Sequence, residues 1–324
     1  MERESLMKLR KLYSVVFLAL VAVLACSLSG CENSSQTSNQ YPLSSNITVY
    51  ATFYPVYDFT KKIGGDRVTV KCMVPPGADP HSWEPSPRDL AELQKARALV
   101  YNGAGMEPWM DKVLGALDTK SMVVVEATHC LPLLPADPHD GDAHPHRKDS
   151  DPHVWLDPVL AQEMAKNIAR GLAAADPQNR EFYDRNCAIL VEKLAKLDSD
   201  YRNALEKCER RDIVVTHQAF GYMASRYGLK QHAIMGVSEE SEPTPATMAK
   251  IIELCHKNNV SYIFFEKTAS TRLAQVIAAE TGAKVLVLDP AGTLTDEQLK
   301  AGEDYFSLMY SNLENLKKAL GYKP

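Results

Sequence analysis

Short apolar runs alternate along this chain with longer stretches in which apolar residues recur every three or four positions. The runs at 47–53, 68–74, 98–102, 122–126, 212–216, 262–265 and 284–288 are rich in Val, Ile, Leu, Tyr and Phe and predict β-strands. The stretches at 56–64, 87–96, 109–117, 158–174, 219–227, 245–258, 271–281 and 304–320 predict helices. Strand and helix taken in turn predict an α/β fold with mostly parallel sheets. The longest helical pattern, 178–207, sets Leu190, Leu194, Leu197, Tyr201 and Leu205 three and four residues apart near the middle of the chain. The expected architecture is therefore two α/β lobes, each a mostly parallel sheet flanked by helices. An N-terminal lobe at 47–177 and a C-terminal lobe at 209–324 are joined by one long rigid helix at 178–208.

Three segments break the alternation. Residues 75–87 form a Pro/Gly-rich loop, and 135–152 contain the polar run DPHDGDAHPHRKDSDP. The third is the N-terminus, where Lys8, Arg10 and Lys11 precede an uninterrupted apolar run at 15–25. That run is too short for a permanent membrane span and has the form of a secretory signal. It leads into Leu28-Ser29-Gly30-Cys31, which resembles a bacterial lipobox; Val23-Leu24-Ala25-Cys26 is a poorer match because of its bulky Leu24. The expected product is a signal peptide at 1–30, a diacylglyceryl anchor on Cys31 and a polar tether at 31–46. Such a protein is exported and held to the outer face of the cytoplasmic membrane through its lipid.

Composition narrows the function. The chain is 45% hydrophobic and 24% charged, as soluble globular proteins are. Loss of residues 1–30 removes four basic and two acidic side chains, taking the formal net charge from −5 to −7. A net negative body without a basic stripe excludes nucleic acid as a partner and suits attraction of cations. Cys72, Cys130, Cys187, Cys208 and Cys255 remain beyond the signal, with no CxxC among them. Neither a zinc knuckle nor a redox motif is present, Cys187 and Cys208 lie far apart on one helical stretch, and pairing is otherwise undetermined.

Ligands of open α/β sheets bind beyond the carboxyl ends of the strands. The strand IVVT runs into His217 and the strand VLVL into Asp289. His81 lies in the loop after the second strand, and His153 follows the polar loop, within DPHVWLDP. Each lobe thus offers two metal-capable side chains at its strand-end side. Three imidazoles and a carboxylate form a plausible four-coordinate set for Zn²⁺.

The phrases TFYPVYDFTKKIGGDRVTV, PPGADPHSWEPSPRDL, DPHVWLDP, VVTHQAFGYMASRYGL, SEESEPTP, IFFE and LDPAGTL occur in that order. Through them the chain resembles the cluster A-I (cluster 9) solute-binding proteins of zinc and manganese ABC importers, the ZnuA/TroA/PsaA-like family, from residue 46 to 324. The resemblance implies metal ligands at His81, His153, His217 and Asp289, delivery of the ion to a membrane permease dimer, and a modest rocking of the lobes. Glu266, at a strand end, reads either as a carboxylate orienting a ligand imidazole or as a helix-start or lobe-contact acid. Glu84 reads as closing its loop or capping the next helix.

In the manganese-selective branch the position matching His217 is typically Glu. A histidine there favours Zn²⁺, although Mn²⁺ or a broader set of divalent ions stays open. His139, His144 and His146, among Asp137, Asp140, Asp142, Asp149 and Asp151, could hold zinc weakly as an auxiliary loop; a solvated loop without metal is the alternative. His129, His232 and His256 read as ordinary structural or surface residues. Four protein ligands and no HExxH argue against a zinc hydrolase, which keeps an open metal position, so no enzyme is expected. Surface anchoring would also permit an adhesin, a role ascribed to some members of the family, but no segment specifies a host ligand.

Overall fold

In the computed structural model, which describes residues 46–136, 150–236, 243–267 and 272–324, the first strands and helices follow the apolar runs closely. Strands β1 (Ile47–Ala51), β2 (Val68–Cys72), β3 (Ala98–Tyr101) and β4 (Val123–Glu126) form one sheet in the order β2-β1-β3-β4. Strands β5 (Asp212–Val215), β6 (Lys230–Ala233), β7 (Tyr262–Phe265) and β8 (Lys284–Val287) form a second in the order β6-β5-β7-β8. Every pairing in both is parallel, with Val49 between Val70 and Ala98, and Val214 between His232 and Ile263. Parallel sheets need both faces covered, and the connecting helices do so: α1 (Tyr54–Gly64), α2 (Pro87–Leu93), α3 (Met110–Ala116) and α4 (Pro158–Ala175) around the first, α6 (Gly221–Tyr227), α7 (Pro245–Lys257), α8 (Arg272–Thr281), α9 (Asp296–Ala301) and α10 (Tyr305–Leu320) around the second.

Between them runs α5 (Arg180–Glu206), 27 residues long. Tyr183, Cys187, Leu190, Leu194, Leu197, Tyr201 and Leu205 form its buried stripe. Burying seven such side chains stabilises the fold by on the order of 10 kcal/mol. Asn186 donates to the Ile63 carbonyl of α1, and the Tyr201 hydroxyl donates to the Met309 carbonyl of α10, so α5 is fixed to both lobes. One continuous hydrophobic core includes Val49 and Phe59 of the first lobe, Leu194 of α5, and Ile213 and Leu316 of the second.

Two elements and one cap differ from the sequence reading, whereas His129, His232 and His256 agree with it. The strand at 230–233 and the helix at 296–301 have no counterpart in the apolar pattern. The cap of α2 is Ser86, in a capping box with Asp89, while Glu84 is exposed. His232 pairs with Asp212 at 2.8 Å, and His129 and His256 are exposed. All five described cysteines are free thiols. The signal and tether through residue 45, Cys31, and the loop histidines His139, His144 and His146 lie outside the described residues.

Candidate metal centre

His217 comes off an interior strand of the second sheet. The buried run Ile213–Val215 of central strand β5 ends two residues before it, which fixes its backbone. Glu266 follows β7, the neighbouring strand, and its carboxylate sits against His217 Nδ1. Asp289 follows β8; its amide donates to Asn312 Oδ1 at 2.8 Å, and Asn312 Nδ2 donates back to its carbonyl at 2.6 Å.

In the first lobe the histidines arrive on loops. Asp79 accepts from the His81 amide at 2.9 Å and from Ser82 Oγ at 2.8 Å, folding the Pro-rich segment into a turn that presents His81. His153 begins the 3-10 turn Val154–Leu156, and alternate residues of DPHVWLDP each have a task. Asp151 Oδ1 accepts from both the His153 amide and Nδ1 at 2.9 Å. The Trp155 indole donates to the Pro290 carbonyl at 2.7 Å, tying the segment of His153 to that of Asp289. Asp157 caps α4 and pairs with Arg226 of α6 at 2.6 Å.

The three imidazoles meet although their positions span 136 residues of sequence. His81 Nε2 lies 3.2 Å from His153 Nε2, which lies 3.4 Å from His217 Nε2. One ligand atom from each of the three falls within 4.8 Å of the others, the only such cluster among the described residues. Nitrogens at ~2.0–2.1 Å from a tetrahedral zinc would stand about 3.3–3.4 Å apart. The observed spacing matches that value.

Electrostatics points the same way. A carboxylate accepts a proton and cannot donate one, so Asp151 and Glu266 select the Nδ1–H tautomer of His153 and His217. Both Nε2 lone pairs then face one another, an arrangement that a cation between them relieves. His153 and His217 are only 1% and 3% exposed, whereas His81 is half-buried on the rim. Burial pushes the Asp151 carboxyl up to about 7, against the hydrogen bond from the His153 amide. It also raises Asp289, against the Ala291 amide. A dication in the pocket acts in the opposite direction on both.

The cavity has a volume of about 70 Å³ and is also lined by Met106, Trp155, Glu266 and Asp289. A water needs roughly 10–15 Å³, so the space has room for an ion or a few waters. Asp289 lines the wall but is outside the tight cluster of three imidazoles. Asp151 closes the polar run in the sequence, and in the structure it holds the His153 ring.

A family model described as zinc-uptake complex component A, periplasmic, matches residues 49–319. The zinc-binding lipoprotein AdcA of Streptococcus pneumoniae is 39% identical over 308 residues, which are 94% of this chain and 60% of that protein. The chain thus spans about three fifths of the length of that relative. The high-affinity zinc uptake system protein ZnuA of Bacillus subtilis is 38% identical, with 93% of this chain and 97% of that one covered. Among solved structures, the Zn(II)-bound ZnuA-like domain of pneumococcal AdcA superimposes with a TM-score of 0.74 at 40% identity, covering 85% of this chain and 99% of the domain.

Proposed function

The chain belongs to the zinc-uptake complex component A family, and from that premise we propose that it captures zinc outside the cytoplasmic membrane for the permease of an ABC importer. The observation that carries this reading is the 3.2 and 3.4 Å spacing of the imidazole Nε2 atoms. His81, His153 and His217 serve as nitrogen ligands, and Asp289, on the wall of the same cavity, supplies an oxygen. Glu266 orients His217. Zinc is cargo here, and four protein donors leave it no open position for hydrolysis. Three imidazoles favour Zn²⁺ over the harder Mn²⁺, in line with the Irving–Williams order. Cys31 carries the lipid that keeps the receptor at the membrane, a role supported by the LSGC sequence after an apolar run.

Two features shape uptake and release. Imidazoles bind metal only when neutral, so affinity falls with acidity. The shared core and α5 oppose wide hinge opening, so release proceeds by a modest lobe movement with local rearrangement around His81.

The test is zinc titration of the mature protein against a chromogenic chelator, with Mn²⁺ as competitor. Wild type should take up one tightly held zinc and prefer it to manganese. A structural zinc site is worth ~10–16 kcal/mol over four ligands, so removing one costs about 3–4 kcal/mol. His217→Ala should therefore weaken binding by about 10²–10³-fold. Unchanged affinity in that variant sinks the site, and preferential manganese loading sinks zinc.

A further inference from the structure

The Asp151 carboxylate that holds His153 is itself seated by the other lobe. Gly221 opens α6 immediately beyond the His217 segment, and its φ is not in the left-handed region. Its backbone conformation therefore does not call for glycine. Space does: a Cβ built on Gly221 would come within 2.6 Å of Asp151 Oδ2. The next residue, Tyr222, holds the same segment from the other side. Its hydroxyl donates to the Asp151 carbonyl at 2.9 Å and accepts from the Leu134 amide at 3.0 Å. The Asp151 amide in turn donates to the Leu134 carbonyl at 2.9 Å.

We propose that Gly221 is a positioning residue for zinc capture, acting across the lobe seam by leaving the room in which Asp151 orients the His153 imidazole. This rests on the zinc-receptor reading above. It makes the first lobe's buried ligand conditional on the docking of α6, so the lobe contact and the ligand geometry are set together.

The position of the clash makes the idea testable. The atom that must yield to a Cβ is the end of a side chain, so Gly221→Ala leaves the backbone and the fold in place. What it displaces is a carboxylate whose other oxygen makes both hydrogen bonds to His153. Loss of a partner that orients a metal-bound imidazole typically weakens metal binding by ~10–100-fold. If Gly221 acts only through Asp151, that penalty vanishes once the carboxylate has been removed.

The experiment measures zinc affinity by chelator competition for wild type, Gly221→Ala, Asp151→Ala and the double variant, with the melting temperature of each. Each single variant should bind zinc about 10–100-fold more weakly than wild type. The double variant should bind no more weakly than Asp151→Ala. A merely structural role for Gly221 predicts independent, multiplying losses instead. Wild-type affinity in Gly221→Ala, or a double variant weakened by the product of the two factors, overturns the proposal. If wild type itself binds no zinc, the receptor reading fails first, and His217→Ala in the same series tells the two failures apart.

Discussion

The two lobes repeat one strand order, and in each a residue within two positions of the end of the first strand meets an acid in the segment after the third. In the second lobe the pair is His217 with Glu266. In the first it is Thr52 with Glu107, at 2.5 Å. Glu107 also accepts from the Asn102 and Gly103 amides at 2.8 and 3.1 Å, and Asn102 Nδ2 holds the Pro152 carbonyl at 3.0 Å, one residue before His153. The shared topology thus puts an acid-facing slot at this edge of each sheet, though not at matching residues. An imidazole fills one slot and faces the pocket directly. A hydroxyl fills the other, which fastens a loop, and the first lobe's histidines reach the pocket from loops alone.

Neutralising each acid is the strongest way to break this comparison. Glu266→Gln should weaken zinc binding by about 10–100-fold, because the amide no longer selects the His217 tautomer as a carboxylate does. Glu107→Gln should leave affinity within about threefold of wild type, since it touches no ligand side chain. Equal losses in the two variants would show that the first-lobe slot also tunes the ion site.

Glu107 should instead declare itself in stability. Burial pushes it up to about 7, outweighing Thr52 and the two amides that donate to it. Unfolded, a glutamate titrates near ~4.3. Between those values the unfolded chain has released a proton that the folded chain keeps. The stabilisation linked to Glu107 is therefore complete below the unfolded value and is lost as pH rises through about 7. Thermal melts from pH ~5 to ~7.5 should show wild type losing ground to Glu107→Gln by on the order of 1–3 kcal/mol. A pH-independent difference would place the Glu107 proton elsewhere.

How much of this could be read from the sequence follows from the same contrast. Where a proposed ligand comes straight off an apolar strand, as His217 does after IVVT and Asp289 after VLVL, the strand pattern gives both its place and its direction. Where a residue works from a loop, the pattern is silent. Asp151 closes a polar run and looks like its neighbours; the Asp-Pro-His spacing, which puts a carboxylate two residues before an imidazole, was the available signal. Glu107 carries no such mark, because burial of a lone acid depends on partners 55 residues away. Strand β6 was missed because Lys230, Gln231 and His232 are polar on a sheet edge. Helix α9 was legible in principle from its Thr295–Gln298 capping box.

The smallest expected effect probes how the His81 loop is hung. The Gly77 amide is shared between Thr293 Oγ1 and the Leu294 carbonyl, each at 3.0 Å, and this joins the loop of His81 to the segment after Asp289. Thr293→Val removes one acceptor while keeping the branched shape, and the Leu294 carbonyl still satisfies the amide. No buried donor is left orphaned, so the cost should stay below about 1 kcal/mol. Zinc affinity should change by less than about threefold. A loss of tenfold or more would mean that the His81 loop takes its shape from the second lobe. Both loop-borne histidines of the first lobe would then rest on the second lobe's framework, His81 through Thr293 as His153 does through Gly221 and Tyr222.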